Sequence, residues 1–140
     1  MNLAPFSLPV RVYFQDTDAG GVTFHGAYLQ FLERARTEWL RERGFDSRTL
    51  SERFHSLFMV RKLEINYRQP AVLDDLLLVT ARIAYLGRAQ LTFAQQVLRG
   101  TELLAEASVN VACVGVEDLR PQAIPQLIRN RCAEVHPVTD

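Results

Sequence analysis

The fold of this 140-residue chain is decided by the stretch Asp16-Thr17-Asp18-Ala19-Gly20-Gly21-Val22-Thr23-Phe24-His25-Gly26. A helical pattern follows this acidic loop at once, covers residues 27–43 and stops at Gly44. Glycine is common just past a helix end because it adopts a positive φ without strain. The first backbone N–H groups of a helix have no partner inside the helix, so the loop is predicted to hold an acid beside unpaired amides.

The long helix carries one continuous apolar stripe. Apolar side chains recur at the i, i+3, i+4, i+7 and i+11 positions of one helical face, namely Tyr28, Phe31, Leu32, Ala35 and Trp39. This spacing predicts a helix that is largely buried. Shorter helices are predicted over residues 47–54 and 126–134.

Most of the remaining chain alternates with a period of two, which predicts strands. One strand precedes the acidic loop and four follow the long helix, over residues 10–14, 57–67, 76–85, 91–97 and 103–113. Short turns join most of the later strands, including a two-residue loop at Gly100-Thr101, and such turns require antiparallel pairing. The sequence therefore predicts an α+β fold, with an antiparallel β-sheet of about five strands against one long central helix.

The strand over residues 57–67 has an irregular position at Arg61, which predicts a bulge, a sheet edge or a ligand contact. We expect its core face to carry Leu57, Met59, Leu63, Ile65 and Tyr67. The opposite face of the sheet also has apolar positions, such as Phe58, Val60, Leu76 and Leu78. A sheet that is apolar on both faces usually hides the second face in a partner, so we expect a homodimer or homotetramer.

Composition narrows the functional classes. The hydrophobic content of 48% suits a single domain over residues 1–140. A net charge of +0 gives no positive field for nucleic acid or an anionic membrane. No apolar run could span a bilayer, and the first residues lack the regions of an export signal. We therefore expect a cytoplasmic protein in which Cys113 and Cys132 are reduced and no metal is bound.

The acidic loop and the helix after it closely resemble a known family. The resemblance is carried by the Asp-Thr-Asp-Ala-Gly-Gly run at residues 16–21 and by the run Glu33-Arg34-Ala35-Arg36-Thr37-Glu38. It extends through Val60-Arg61-Lys62, Leu73-Asp74-Asp75 and Arg120-Pro121, and so covers nearly the whole chain. The chain is similar to the YbgC-type acyl-CoA thioesterases, in the 4-hydroxybenzoyl-CoA thioesterase branch of the hot-dog fold. The resemblance implies a sheet wrapped around the helix, paired subunits and sites at the subunit interface.

The resemblance also implies the roles of the site residues. Asp18 would be the catalytic carboxylate, and helix-start amides near His25 and Gly26 would polarise the thioester carbonyl. A carboxylate can attack the carbonyl directly or deprotonate a water, and the sequence leaves both routes open. Coenzyme A is then part of the substrate, and no separate cofactor is expected. The candidate substrate-binding residues are Tyr13, Gly26, Tyr28, Val60, Arg61, Lys62 and Arg88, of which the last three suit the phosphates of coenzyme A.

Each candidate also has an ordinary structural interpretation. Asp18 could be a turn or N-cap aspartate, and His25 could simply satisfy the helix start. Asp16 is expected to brace the backbone of the loop. Arg61, Lys62 and Arg88 could be solvated surface charges, and Tyr28 could be a core residue.

Two other functions remain open at this point. One is an acyl-thioester dehydratase that uses His25 and Glu33. The other is a non-catalytic protein that binds acyl-CoA or acyl carrier protein and recruits partners. YbgC-type proteins are associated with the Tol-Pal envelope system and with phospholipid-synthesis enzymes. The resemblance therefore also implies such partners and a peripheral position at the inner membrane.

Overall fold

The computed structural model describes residues 6–135. The first five residues, considered above for an export signal, and the last five, which include His136, lie outside this range. The strands of the described chain are β1 (Ser7–Arg11), β2 (Ser56–Tyr67), β3 (Leu76–Thr80), β4 (Arg82–Leu86), β5 (Gln90–Arg99) and β6 (Glu102–Gly115). The helices are α1 (His25–Glu42), α2 (Ser47–Phe54) and α3 (Gln126–Val135). The predicted α+β class and all three predicted helices are confirmed.

The strands form one antiparallel sheet with the order β1-β3-β5-β6-β2, and β4 pairs with β5 beside this path. Helix α1 packs against the inner face of this sheet through its apolar stripe. Phe31, Leu32, Ala35 and Trp39 are completely buried there. Gly44 has a φ of 94°, in the left-handed region that lets the chain leave the helix as predicted.

The first strand lies three residues earlier than the predicted range of 10–14. The carboxylate of Asp16 accepts a 2.8 Å hydrogen bond from the backbone N–H of Tyr13. This contact caps a 3₁₀ turn over Phe14–Asp16, in which the N–H of Asp16 donates to the carbonyl oxygen of Tyr13, so the chain bends where the alternation of the sequence continues. Asp16 therefore braces the loop backbone, as expected.

The predicted strand over residues 76–85 is two strands, which gives six strands rather than about five. The break falls at Ala81, between β3 and β4. There the Gln95 side chain donates a hydrogen bond to the carbonyl oxygen of Thr80, and the Thr80 hydroxyl accepts one from the backbone N–H of Gln96. Side chains thus replace backbone ladder partners at this point, which ends β3.

Arg61 is an extra residue in β2, because Val60 lies opposite Val111 while Lys62 lies opposite Asn110. This bulge confirms the predicted irregularity, but it also reverses the side-chain alternation. Phe58 and Val60 therefore face the core side together with the residues after the bulge: Leu63, Ile65 and Tyr67. The placement of Leu57 and Met59 on the core face was wrong for the same reason.

The two cysteines are both free and buried. Burial raises the pKa of each thiol, to about 11 for Cys132. Cys113 lies among core side chains of β6, as its position in an apolar pattern predicts. Among residues 6–135, no helix is both long and apolar enough to cross a membrane.

Candidate active site at the start of the long helix

Helix α1 begins without a side-chain cap. Phe24 occupies the N-cap position and has no side-chain oxygen to accept a bond from the first turn. Within the described chain, the backbone N–H groups of His25 and Gly26 have no hydrogen-bond acceptor. Two donors at the positive end of an 18-residue helix are therefore available to an oxygen of a ligand.

The acidic loop returns on itself just before this helix start. The backbone N–H of Asp18 donates to the carbonyl oxygen of Val22, and the N–H of Gly21 donates back to that of Asp18. The Asp18 carboxylate accepts a 2.9 Å hydrogen bond from the N–H of Gly20 through its Oδ1. Asp18 is exposed, and this single bond is the geometry of a turn aspartate.

An open cleft of about 310 Å³ lies at the helix start. Its lining consists of Thr23, His25, Tyr28, Tyr67, Arg68, Gln69 and Pro70. The cleft thus joins the first turn of α1 to the last residues of β2. The described lining includes His25 and Tyr28 of the predicted site, and it includes neither Asp18 nor Gly26.

Three rings organise the cleft. The Tyr67 ring packs edge-on against Tyr28 at 5.3 Å and against His25 at 6.4 Å between ring centroids. The Tyr28 hydroxyl accepts a 3.0 Å hydrogen bond from the N–H of Ala71, so Tyr28 is a core residue as well as a lining residue. Burial, with a further contribution from Tyr28, raises the pKa of Tyr67, which keeps that phenol a neutral donor.

The Thr23 hydroxyl is the unsatisfied polar group of this cleft. The residue is only 7% exposed, and its Oγ1 has no hydrogen-bond partner in the described chain. A buried hydroxyl without a partner costs free energy, so the position favours a ligand or water that supplies one.

Gly26 has a packing role beside its amide. A Cβ atom at this position would meet the ring of Phe24 at 2.8 Å, so any larger residue requires that exposed ring to move. The ring of Phe24 thus lies directly over the first turn of α1. Glycine at this position lets the ring keep that place.

The remaining predicted residues lie away from the cleft. Tyr13 is exposed beside the 3₁₀ turn, and Val60 faces a separate cavity beside the second half of α1. Arg61 bonds Gln90 and Asn110, while Lys62 pairs with Glu64 on the surface. Arg88 is exposed in the turn before β5.

One of these contacts relates two of the predicted phosphate ligands. Arg61 bonds the side chain of Gln90, which follows Arg88 by two residues. Arg61 and Arg88 therefore lie toward the same end of the sheet. Their role toward phosphate stays a prediction.

Sequence reasoning missed Tyr67 and Thr23 as residues of the cleft. Tyr67 ends a strand predicted for the core, and nothing local in the sequence relates it to His25, which precedes it by 42 positions. The hydroxyl of Thr23, next to the apolar Val22, was the one feature of the sequence that could have indicated a polar residue at the cleft. Among residues 6–135, no group of three His, Cys, Asp or Glu side chains is placed to hold a metal ion.

Comparisons with known proteins give the chain its family. The family model of the thioesterase superfamily matches residues 20–106. The acyl-CoA thioesterase YbgC of Haemophilus influenzae is 46% identical over 124 residues, which cover 89% of this chain and 91% of the relative. The acyl-CoA thioester hydrolase YbgC of Escherichia coli O157:H7 is 44% identical over 130 residues, which cover 91% of this chain and 96% of the relative.

The fold agrees with these sequence matches. The crystal structure of a probable thioesterase from Bartonella henselae superposes with a TM-score of 0.83 at 38% identity. The superposition covers 87% of this chain and 100% of that one. The predicted hot-dog architecture is thereby confirmed. The chain belongs to the thioesterase superfamily, as a member of its YbgC-type branch.

Proposed function

We propose that this protein hydrolyses acyl-CoA thioesters to a carboxylic acid and free coenzyme A, with Asp18 as its catalytic carboxylate. The observation that carries the proposal is the uncapped start of α1, which follows the acidic loop directly and has two free amides, and whose first residue, His25, lines an open cleft. The relatives named as acyl-CoA thioesterases supply the substrate class.

The chemistry requires a place for negative charge on the thioester carbonyl oxygen. The N–H groups of His25 and Gly26 are two fixed donors for that oxygen, and such a donor is typically worth about 3–4 kcal/mol of transition-state stabilisation. Fixed donors reduce the barrier because no solvent has to reorient as the charge develops. The thiolate of coenzyme A is a good leaving group, so a strong general acid is not required.

Asp18 supplies the oxygen nucleophile in this proposal, either by attacking the carbonyl or by deprotonating a water. Its Oδ1 is fixed by Gly20, and Oδ2 has no hydrogen bond in the described chain. In direct attack, Oδ2 bonds the carbonyl carbon, the C–S bond breaks to release the thiolate, and water then cleaves the anhydride. His25 would orient the substrate beside it. The reaction uses no cofactor besides the coenzyme A of the substrate.

We further propose that a second copy of the chain completes the site. Strand β2 is an edge of the sheet in one subunit, and its 12 residues would otherwise leave one side of the backbone unpaired. Tyr67 of the cleft lies at the end of this strand, so a partner along β2 would border the cleft. We expect ultracentrifugation to give the mass of a homodimer or homotetramer. The mass of a monomer at assay concentrations would reject the proposal that a second copy completes the site.

Arg61, Lys62 and Arg88 are proposed to bind the coenzyme A phosphates, and Tyr13 and Val60 to contact substrate. From the resemblance alone, we also propose acyl carrier protein and phospholipid-synthesis enzymes as partners. The same holds for a cytoplasmic position at the inner membrane.

The experiment that tests the proposal is the Asp18→Asn variant in a thiol-release assay with acyl-CoAs of graded chain length. Asparagine keeps an oxygen that accepts the N–H of Gly20, so the turn should persist while the charge is lost. We expect kcat to fall by about 10²–10⁴-fold with an unchanged melting temperature.

The matched control is Asp74→Asn, which removes a carboxylate from another turn of the chain. Asp74 has a φ of 73°, a conformation that asparagine tolerates. Turnover by this variant should equal that of the wild type. Full activity of Asp18→Asn would reject Asp18 as the catalytic group.

A further inference from the structure

Arg36 is a buried cation without a buried counter-charge. The residue is 8% exposed on the inner side of α1, and its Nη1 donates a 3.0 Å hydrogen bond to Oε1 of Gln95. Gln95 is neutral, and no carboxylate of the described chain lies within ion-pair distance of Arg36. A guanidinium has five N–H donors, so most of its capacity is unused by protein acceptors.

Arg36 lines a cavity of about 370 Å³ between α1, α2 and the start of β2. The surface of its walls is about half polar and half apolar, and the apolar part comes from Leu40, Phe45, Leu50, Phe58, Val60, Phe93 and Val111. Three further polar residues also line it: Glu33, Thr37 and Ser47. The cavity therefore places the positive charge of Arg36 beside a group of apolar side chains, with Glu33 and two hydroxyl residues completing the lining.

Buried charges are normally paired, because removing an ion from water is costly unless an opposite charge or hydrogen bonds replace the solvent. Burial lowers the pKa of Arg36, and Glu33 offsets part of this effect from the next helical turn. Glu33 is itself exposed and makes no hydrogen bond to Arg36. An external anion would satisfy the free donors and also relieve this desolvation.

The chemistry of the cavity selects among anions. Arginine matches the two oxygens of a carboxylate with two parallel donors. The apolar side chains of the lining favour an alkyl group over a free inorganic anion, because a small hydrated ion would leave these side chains exposed to water. The acid Glu33 at the same cavity opposes a doubly charged group.

We propose that this cavity is a binding site for an alkanoate, with the carboxylate on Arg36 and the alkyl chain against Phe45, Phe58 and Phe93. Arg36 follows His25 by about three turns of α1, which is about 16 Å along the helix axis. The site is thus distinct from the cleft at the helix start. The released acid of the proposed reaction is also an alkanoate, so any link to turnover rests on the proposed function, whereas the binding does not.

The test is a titration of the full-length protein with decanoate, in which binding is measured by calorimetry and by tryptophan fluorescence. Trp39 is the sole tryptophan, and its ring packs at 5.4 Å from Phe93, which lines the cavity. We expect decanoate to bind the wild type about tenfold or more tightly than 1-decanol, which has the same chain without the charge. Equal affinity for the two ligands, or no binding of decanoate, overturns the proposal, and this comparison requires no variant.

Arg36→Met removes the cation and should weaken decanoate binding by about tenfold or more, with little effect on 1-decanol. Arg34→Met makes the same change at an exposed position of the same helix and should bind decanoate as the wild type does. An unchanged decanoate affinity of Arg36→Met overturns the proposal. The proposal is also overturned if Arg36→Met dissociates the oligomer and still binds decanoate as the wild type does, because Arg36 would then belong to a subunit contact.

The Asp18→Asn variant separates this site from the proposed reaction. Its decanoate binding should equal that of the wild type, because Asp18 does not line the cavity. Loss of decanoate binding in this variant would overturn the separate site. Retention of binding together with full turnover would reject the proposed function alone.

Discussion

The hydroxyl of Tyr67 donates a 2.9 Å hydrogen bond to the backbone carbonyl oxygen of His25. This contact joins the last residue of β2 to the first residue of α1, across 42 positions of sequence. It fixes the position of the helix start, where two backbone amides are free and His25 lines the cleft. The orientation of those amides therefore depends on the sheet as well as on the loop that precedes the helix.

Tyr67→Phe should lower stability by about 1 kcal/mol and lower kcat severalfold, since the hydroxyl bond is lost while the ring contacts remain. The measurements are urea unfolding and steady-state thiol release. The matched control is Tyr85→Phe, which removes an exposed hydroxyl from β4. A Tyr67→Phe variant with wild-type turnover would show that the helix start holds its position without this bond.

Thr23→Val should stabilise the protein without ligand by about 1 kcal/mol, because it removes a buried hydroxyl that lacks a partner and keeps the shape of the side chain. Thr80→Val makes the same chemical change where the hydroxyl accepts the N–H of Gln96. It should destabilise by a similar amount. The free energies of unfolding in urea should therefore change in opposite directions, and a shared sign would contradict the assignment of Thr23.

Gln95→Leu should destabilise the protein by about 2–4 kcal/mol, because the side chain is 2% exposed and bonds Arg36, the carbonyl of Leu32 and the carbonyl of Thr80. Leucine fills the space but leaves these groups unsatisfied. Gln96→Leu changes the adjacent, exposed residue and should be nearly neutral. Equal melting temperatures of the two variants would contradict a structural role for Gln95.

Stability should fall in alkaline solution because of Cys132. Burial raises the pKa of its thiol from 9.0 to about 11, so the folded state holds this proton more tightly than the unfolded state does. This difference in proton affinity contributes about 2–3 kcal/mol to the free energy of unfolding. The contribution is complete below pH 9 and is lost as the pH rises toward 11. Urea unfolding between pH 8 and pH 11 should show a shallower loss for Cys132→Ala than for the wild type.

Local patterns in the sequence were sufficient for most of the fold. The apolar stripe of α1, the glycine after it and the period-two strands each depend on neighbouring residues, and their types and approximate bounds agree with the structure. The acidic loop could be recognised for the same reason, since its motif is continuous. The family followed from that motif.

The relations between residues that are distant in the sequence could not be predicted from local patterns, because the tertiary structure decides them. The bulge at Arg61 reversed the faces of the first half of β2, because a single extra residue changes which side chains point inward. The Gln95 side chain divided one predicted strand into two. Neither effect has a local signature, since each is decided by the pairing partner across the sheet.

The candidate site divides in the same way. The sequence by itself determined that an acid precedes a helix start, because both lie within one short segment. Only the tertiary structure decided that Tyr67 and Thr23 border that start and that Arg36 is buried beside an apolar cavity. Burial and hydrogen-bond satisfaction are properties of the packed chain, which no single segment contains.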